Sequence, residues 1–189
     1  MKKLFVVMFA CTLLSVPTLS YAEEQNEEVS KSTTIEFLGK DGALILKEFY
    51  PSSKVGGVDF QVLILSDVVN REKIGCLRVE TSYYSQYSSD TYTGTLDNDE
   101  LSACIQSLTH IKNSVLPTTP QNYTECEYQT RDGVKFGAYY DVKKAIWKVY
   151  VQPKKYSSRS IAYLNNSDLD KIIMILGNAQ STIQEALNK

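Results

Sequence analysis

The chain has 189 residues, with 20 lysines and arginines against 22 acids and 43% apolar residues, and a chain of that size buries roughly two-thirds of its surface. A formal charge of −2 and no dense run of Lys or Arg argue against nucleic acid as a partner, because phosphate binding draws most of its affinity from clustered basic side chains. One histidine, no Cys-x-x-Cys, no Gly-rich phosphate loop and no nucleophile elbow leave no cofactor or metal expected.

Residues 1–22 read as a signal peptide: Lys2 and Lys3 at the start, an apolar stretch from Leu4 to Val16, and "SYA" ending at Ala22. The stretch is shorter than the roughly 20 residues a bilayer demands, so no membrane span is expected after cleavage. Lipoprotein processing at Cys11 would leave too short an apolar region and ranks below cleavage after Ala22. Export to a periplasm or the extracellular medium follows. The remaining 167 residues carry 18 basic residues against 22 acids, a net −4. Residues 23–32, "EEQNEEVSKS", hold four glutamates and no apolar period, and read as a flexible lead-in. Cys76, Cys104 and Cys126 then remain; an odd count leaves at least one unpaired, and no spacing specifies a pair.

From Thr33, alternation and β-branched or aromatic enrichment predict strands near 33–38, 43–49, 59–69, 73–83 and 90–95. "KDG" at 40–42 reads as a hairpin turn, and "NREK" at 70–73 as a hairpin loop. Leu101, Cys104, Ile105, Leu108, Ile111 and Val115 then recur at helical spacing, with Asp97 or Asn98 as cap and Pro117 as the stop. Strands near 123–130, 134–140, 145–152 and 158–163 follow, with "RDG" at 131–133 and "DVKK" at 141–144 as turns. Leu169, Ile172, Ile173, Leu176, Ala179 and Ile183 mark a second helix capped at Asn166 or Ser167. Gly177 inside that helix suggests a close neighbour, since glycine costs up to about 1 kcal/mol there.

The two halves match. "YSSDTYTGTLDNDELSACIQSL" from Tyr87 and "YSSRSIAYLNNSDLDKIIMIL" from Tyr156 share Tyr-Ser-Ser, two leucines and a helix with aligned apolar positions. The expectation is one α+β domain over 33–189, with repeat one at 33–117 and repeat two at 121–188. Each is an antiparallel β-meander followed by one long helix laid over its own sheet, and a pseudo-twofold pairs them. The layout is similar in shape to that of TATA-binding protein and Whirly proteins. No motif of either family is present, so the likeness carries no function.

His110 reads as a partly exposed helix residue, and the carboxylates at 97–100 and 165–170 as helix caps. Cys76, in "IGCLRVE", alternates away from Leu77 and Val79, so it reads as the most exposed thiol. The same alternation gathers Arg78, Glu80, Ser82 and Tyr84, then Lys135, Gly137 and Tyr139, then Lys148, Tyr150 and Gln152, on a face away from the helices. Tyr92 joins them as a tyrosine with no counterpart in the second half. Arg78, Tyr84, Tyr92, Tyr139, Lys148 and Tyr150 are therefore the candidate binding residues, because tyrosine supplies contact area and a hydroxyl at low entropic cost. The expected function is a non-enzymatic binding or interaction module for a protein, peptide or glycan. A thiol-dependent enzyme or redox protein centred on Cys76 is the alternative. Outer strands pairing with a second copy would make an oligomer.

Overall fold

The computed structural model of the protein describes residues 31–189; the expected signal peptide and most of the expected lead-in lie outside the described residues. The chain is α+β, with two antiparallel sheets and three α-helices among the described residues. The first sheet is built on two long strands, β3 (Val58–Asp67) and β4 (Glu72–Tyr84), flanked by β1 (Ile45–Phe49) and β5 (Ser89–Asp97). A short strand, β2 (Ser53–Val55), also pairs with β3. The second sheet runs in sequence order through β6 (Glu125–Gln129), β7 (Lys135–Asp141), β8 (Ile146–Gln152) and β9 (Ala162–Leu164). The three helices are α1 (Thr33–Leu38), α2 (Leu101–His110) and α3 (Asp168–Leu187).

Alternation decides which side of each strand is apolar. Phe60, Val62, Ile64, Leu77, Val79 and Leu96 of the first sheet and Phe136, Ala138, Tyr140, Trp147, Val149 and Val151 of the second belong to one buried cluster. The stripes of α2 and α3 close it: Leu101, Cys104, Leu108 and Ile111 on one, Leu169, Ile172, Leu176, Ala179 and Ile183 on the other. Beyond His110 the helix widens into one π turn, Ile111–Val115, and Pro117 prevents its continuation. Neither long helix covers the sheet that precedes it, contrary to the expectation from sequence. Instead α3 packs on β2, β3 and β4 of the first sheet, while α2 packs on α3 and on β6 of the second.

Residues 33–38 form a helix, not the expected strand, and part of the cause is a carboxylate far along the chain. Asp97 accepts hydrogen bonds from the backbone N–H of Thr33 (2.8 Å) and Thr34 (3.0 Å), and from the hydroxyls of Ser32 (3.1 Å) and Thr34 (2.5 Å). Two orphan donors of the helix N-terminus are thus satisfied from β5, and the Ile35 N–H by the Ser32 hydroxyl, which together override the β propensity of "TTIEFL". "KDG" therefore joins a helix to a strand and is not a hairpin, whereas "RDG" does turn β6 into β7, with Gly133 at φ 88°. Of 158–163, the first three residues form a 3₁₀ turn and pairing starts only at Ala162. Outside its own stretch of helix backbone, Gly177 has no atom within 4 Å of where a Cβ would stand, so close packing does not explain it.

The two sheets stay separate and meet side on. The β6–β7 turn supplies side chains to the free edge of β5: Asp132 accepts from the N–H (2.8 Å) and hydroxyl (3.1 Å) of Thr95, and the Thr130 hydroxyl donates to the Thr95 carbonyl (3.2 Å). Arg131 reaches Asp97 at 2.9 Å and also pairs with Asp99 and Glu100. Gly94 lets the backbones close up, since a Cβ there would lie 2.5 Å from both the Pro153 carbonyl oxygen and a Val134 methyl.

Two stability measurements follow. Removing one member of a buried ion pair costs roughly 3–5 kcal/mol, and Arg131 keeps two other acids, so Asp97→Asn should destabilise by about 3 kcal/mol in chemical denaturation. An unchanged midpoint would deny Asp97 its place in the fold. Gly177→Ala should instead stabilise by about 1 kcal/mol and raise Tm by about 2–4 °C, because alanine has less backbone entropy to lose on folding and nothing resists the methyl.

Candidate binding face of the second sheet

The outer face of the second sheet is set by strand register. Glu125 stands opposite Tyr139 and Glu127 opposite Gly137 on the β6–β7 ladder; Gly137 then faces Tyr150, and Tyr139 faces Lys148, on the β7–β8 ladder. Tyr163 of β9 pairs with Tyr150. Tyrosines from three strands, together with Tyr123 just before β6, thus share one surface. Tyr139 is its centre, with ring centroids 6.2 Å from Tyr123, 6.4 Å from Tyr150 and 6.1 Å from Tyr163, within the range of favourable aromatic pairs.

Tyr150 lies flat because Gly137 has no side chain. A Cβ on Gly137 would come within 2.8 Å of the Tyr150 ring and hydroxyl and of the Cys126 carbonyl oxygen. The ring crosses β7, is only 5% exposed, and brings its hydroxyl 2.9 Å from Glu125 and 2.8 Å from Glu127. Burial, reinforced by Glu127 and then Glu125, pushes this phenol far above its usual range, so the hydroxyl is a fixed donor. For Glu127, burial acts upward, but hydrogen bonds from Lys135 and Tyr150 outweigh it and hold the carboxyl below its ordinary value. Tyr123, Glu125, Tyr139, Tyr150, Ile161 and Tyr163 line a hollow of about 290 Å³. Tyr123 and Tyr163 are the open walls, at 63% and 62% exposure, and Tyr150 is the floor.

Of the six residues expected on a binding surface, the structure brings Tyr139, Lys148 and Tyr150 together. The other three stand on the first sheet. Tyr84 ends β4 and is 75% exposed, opposite Ser89. Tyr92 is opposite Thr81, on the side of the sheet that carries Leu77 and Val79, and so does not share a face with Tyr84. Arg78 is half-buried and internally satisfied, pairing with Glu80 and donating to Gln61 at 3.2 Å. Tyr123, Tyr163 and Glu125 were not singled out from sequence. Alternation in "NYTECEYQT" does place Tyr123, Glu125 and Glu127 on one face, but Tyr163 could be added only through its pairing with Tyr150.

Cys76 faces away from Leu77 and Val79 as expected, yet it is fully buried, not exposed. Helix α1 covers it, and it packs with Phe37, Leu63 and Leu65 in a second apolar cluster. Burial pushes its thiol up to about 11, the reverse of an activated nucleophile. Cys104 is buried on the α2 stripe and its thiol is pushed up too, by burial and then by Glu100. The three described cysteines are unpaired. His110 is exposed at the end of α2 and lines a cleft with Cys126, not with Cys76. Among the described residues no group of three or more His, Cys, Asp or Glu side chains is placed to hold a metal ion, and no helix is long and apolar enough to cross a membrane.

Comparison of the chain with protein-family models, with curated proteins and with solved structures finds no match. The reading of function therefore rests on the face itself. Thiol accessibility gives a direct check of the burial pattern. In the folded protein at neutral pH, a thiol-alkylating reagent followed by peptide mapping should label Cys126 and spare Cys76 and Cys104; rapid labelling of Cys76 would contradict its cover by α1.

Proposed function

We propose that the protein is an exported, non-catalytic binding module that holds a protein, peptide or glycan against the outer face of its second sheet. The observation that carries this reading is the concave group of Tyr123, Tyr139, Tyr150 and Tyr163 with Glu125 at its rim. Large, rigid, amphipathic rings that stand exposed in one hollow supply contact area without the entropy cost of flexible side chains. A face of this kind on a solvated antiparallel sheet is ordinarily polar and alternating, and four clustered tyrosines exceed that need. A thiol reaction at Cys76 draws no support from the buried, high-pKa thiol, and Asp97, opposite it on the ladder, is committed to the α1 N-terminus and Arg131.

We also read residues 33–117 and 121–188 as two copies of one plan, related by a pseudo-twofold within one domain that follows the signal peptide and lead-in. The exchange of helices supports this: α3 goes to the first sheet and α2 to the second, a reciprocal placement compatible with a twofold pair. So do the hairpin loops. Asp67 and Asp141 each end a strand and accept from backbone N–H groups two or three residues on, and each loop closes with a residue at positive φ, Arg71 at 60° and Ala145 at 54°.

Replacing Tyr123, Tyr139 and Tyr163 together by Ser tests the binding role. The triple variant should melt within a few degrees of the parent, and should lose whatever the parent retains from a panel of immobilised peptides and glycans. A variant that binds the panel as the parent does, or a parent that retains nothing, would remove the reading. Collapse of the fold would instead assign these rings to the core.

A further inference from the structure

We propose that the hollow between Tyr123, Tyr139 and Tyr163 receives an alkylammonium group, with Glu125 as its counter-ion; this rests on the reading of the same face as a binding surface. The argument begins with charge. Glu127 is paired with Lys135 at 2.7 Å, and Asp141 with Lys148 at 3.3 Å. Glu125 is the one acid of this face without a cationic partner among the described residues. Hydrogen-bond supply does not make up the deficit. The Tyr150 hydroxyl has one proton and stands within reach of both carboxylates, so it can donate fully to only one of them. The Tyr123 hydroxyl reaches Glu125 only at 3.4 Å, near the limit of a useful bond. Glu125 thus lines an aromatic hollow with an unneutralised charge and an incomplete set of donors.

The walls suit a cation for a second, independent reason. The face of a phenol ring carries negative potential, and an ammonium within about 6 Å of the centroid is attracted to it. The surface already uses that attraction once, with the Lys148 ammonium 5.6 Å from the centre of Tyr139. Tyr123 and Tyr163 offer further rings around the same centre, and no lysine or arginine stacks on either of them among the described residues. At about 290 Å³ the hollow is at the lower bound of the roughly 300–1,000 Å³ of drug-sized ligand sites. It fits a trimethylammonium headgroup or the tip of a lysine side chain. An anion would meet Glu125 unscreened, and a neutral group would leave its charge uncompensated.

Calorimetric titration with three probes tests the proposal: tetramethylammonium, n-butylammonium, and the neutral isostere 3,3-dimethylbutan-1-ol. Both cations should bind, with the alcohol about tenfold weaker or more. Tighter binding of tetramethylammonium points to a quaternary headgroup as the natural source, and tighter binding of n-butylammonium to a lysine-like amine. Glu125→Gln should weaken the cations about threefold to fivefold, and Tyr139→Leu, which keeps the apolar bulk but removes the ring, by about threefold to tenfold. Both variants should leave the alcohol unaffected. On the parent protein alone, stacking over the rings should move the tetramethylammonium methyl resonance upfield, so the proposal is testable even if a variant fails to fold. Equal affinity for the alcohol, no loss in Glu125→Gln, or no cation binding would overturn it. In those cases, if the tyrosine triple variant still loses panel ligands, the binding face stands and only the ligand class falls.

Discussion

The arrangement depends on how the free edge of β5 is closed. A sheet edge presents unpaired N–H and C=O groups that invite another strand. Here they are met by side chains of a hairpin turn: Thr130 and Asp132 take the carbonyl and N–H of Thr95. Arg131, between them, inserts among Asp97, Asp99 and Glu100 at the entrance to α2. Asp97 also caps α1 with its two carboxylate oxygens. One buried carboxylate and one guanidinium thus tie the first helix, the end of the first sheet, the start of α2 and the β6–β7 turn to a common point. Desolvating such charges is costly unless every lone pair is used, and the four donors from residues 32–34 complete the use of Asp97.

That joint has a consequence for the second sheet. Its β6–β7 end is docked on β5, and its inner side is committed to α2 and the shared core. Among the described residues no element covers the outer side, and the tyrosines lie there. Tyr150 shows how an outward position can still be dry. Its ring is held flat over Gly137 and flanked by its neighbours, so its hydroxyl is presented to two glutamates instead of to water. The hollow therefore has a rigid floor and two open walls, a division that favours specific contact over loose stacking.

The sequence is legible wherever the determining contact is local. Period-two alternation in "AIWKVYVQP" and "VKFGAYY" separates the two sides of the strands and places Tyr139, Lys148 and Tyr150 on the outer side, although Tyr150 and Gln152 are buried there. Helical spacing finds α2 and α3 with their buried stripes. What fails is what long-range contacts decide. The segment 33–38 has strand-like residues, and beside the local Ser32 cap its N-terminus draws on Asp97, 63 and 64 positions away in sequence. The burial of Cys76 follows from the same event, because only a helix at 33–38 puts Phe37 over it. Arg78 and Tyr84 do alternate with the correct periodicity, yet they belong to a different sheet from Tyr139. Alternation assigns a side within a strand and says nothing of which strands share a sheet. Tyr163 is missed for the complementary reason, since a three-residue strand has too little periodicity to read and enters the cluster only through its register with Tyr150.

The balance of donors and acceptors on the tyrosine face narrows its chemistry further. Tyr150 spends its proton inward, and Lys135 and Lys148 spend charge on Glu127 and Asp141. What remains outward at the hollow is the Glu125 carboxylate, the π-faces of exposed rings and the phenol hydroxyls of Tyr123, Tyr139 and Tyr163. The carboxylate and the π-faces accept; the hydroxyls both donate and accept. A partner that completes the carboxylate and the π-faces must bring N–H or O–H groups, or positive charge, together with an apolar surface to lie on the rings. Phosphate and sulfate groups bring negative charge beside the Glu125 carboxylate, so they are disfavoured there whatever molecule carries them. Peptide amides, sugar hydroxyls and ammonium groups meet the demand in rising order of charge. The ammonium alone satisfies both the carboxylate and the rings at one position.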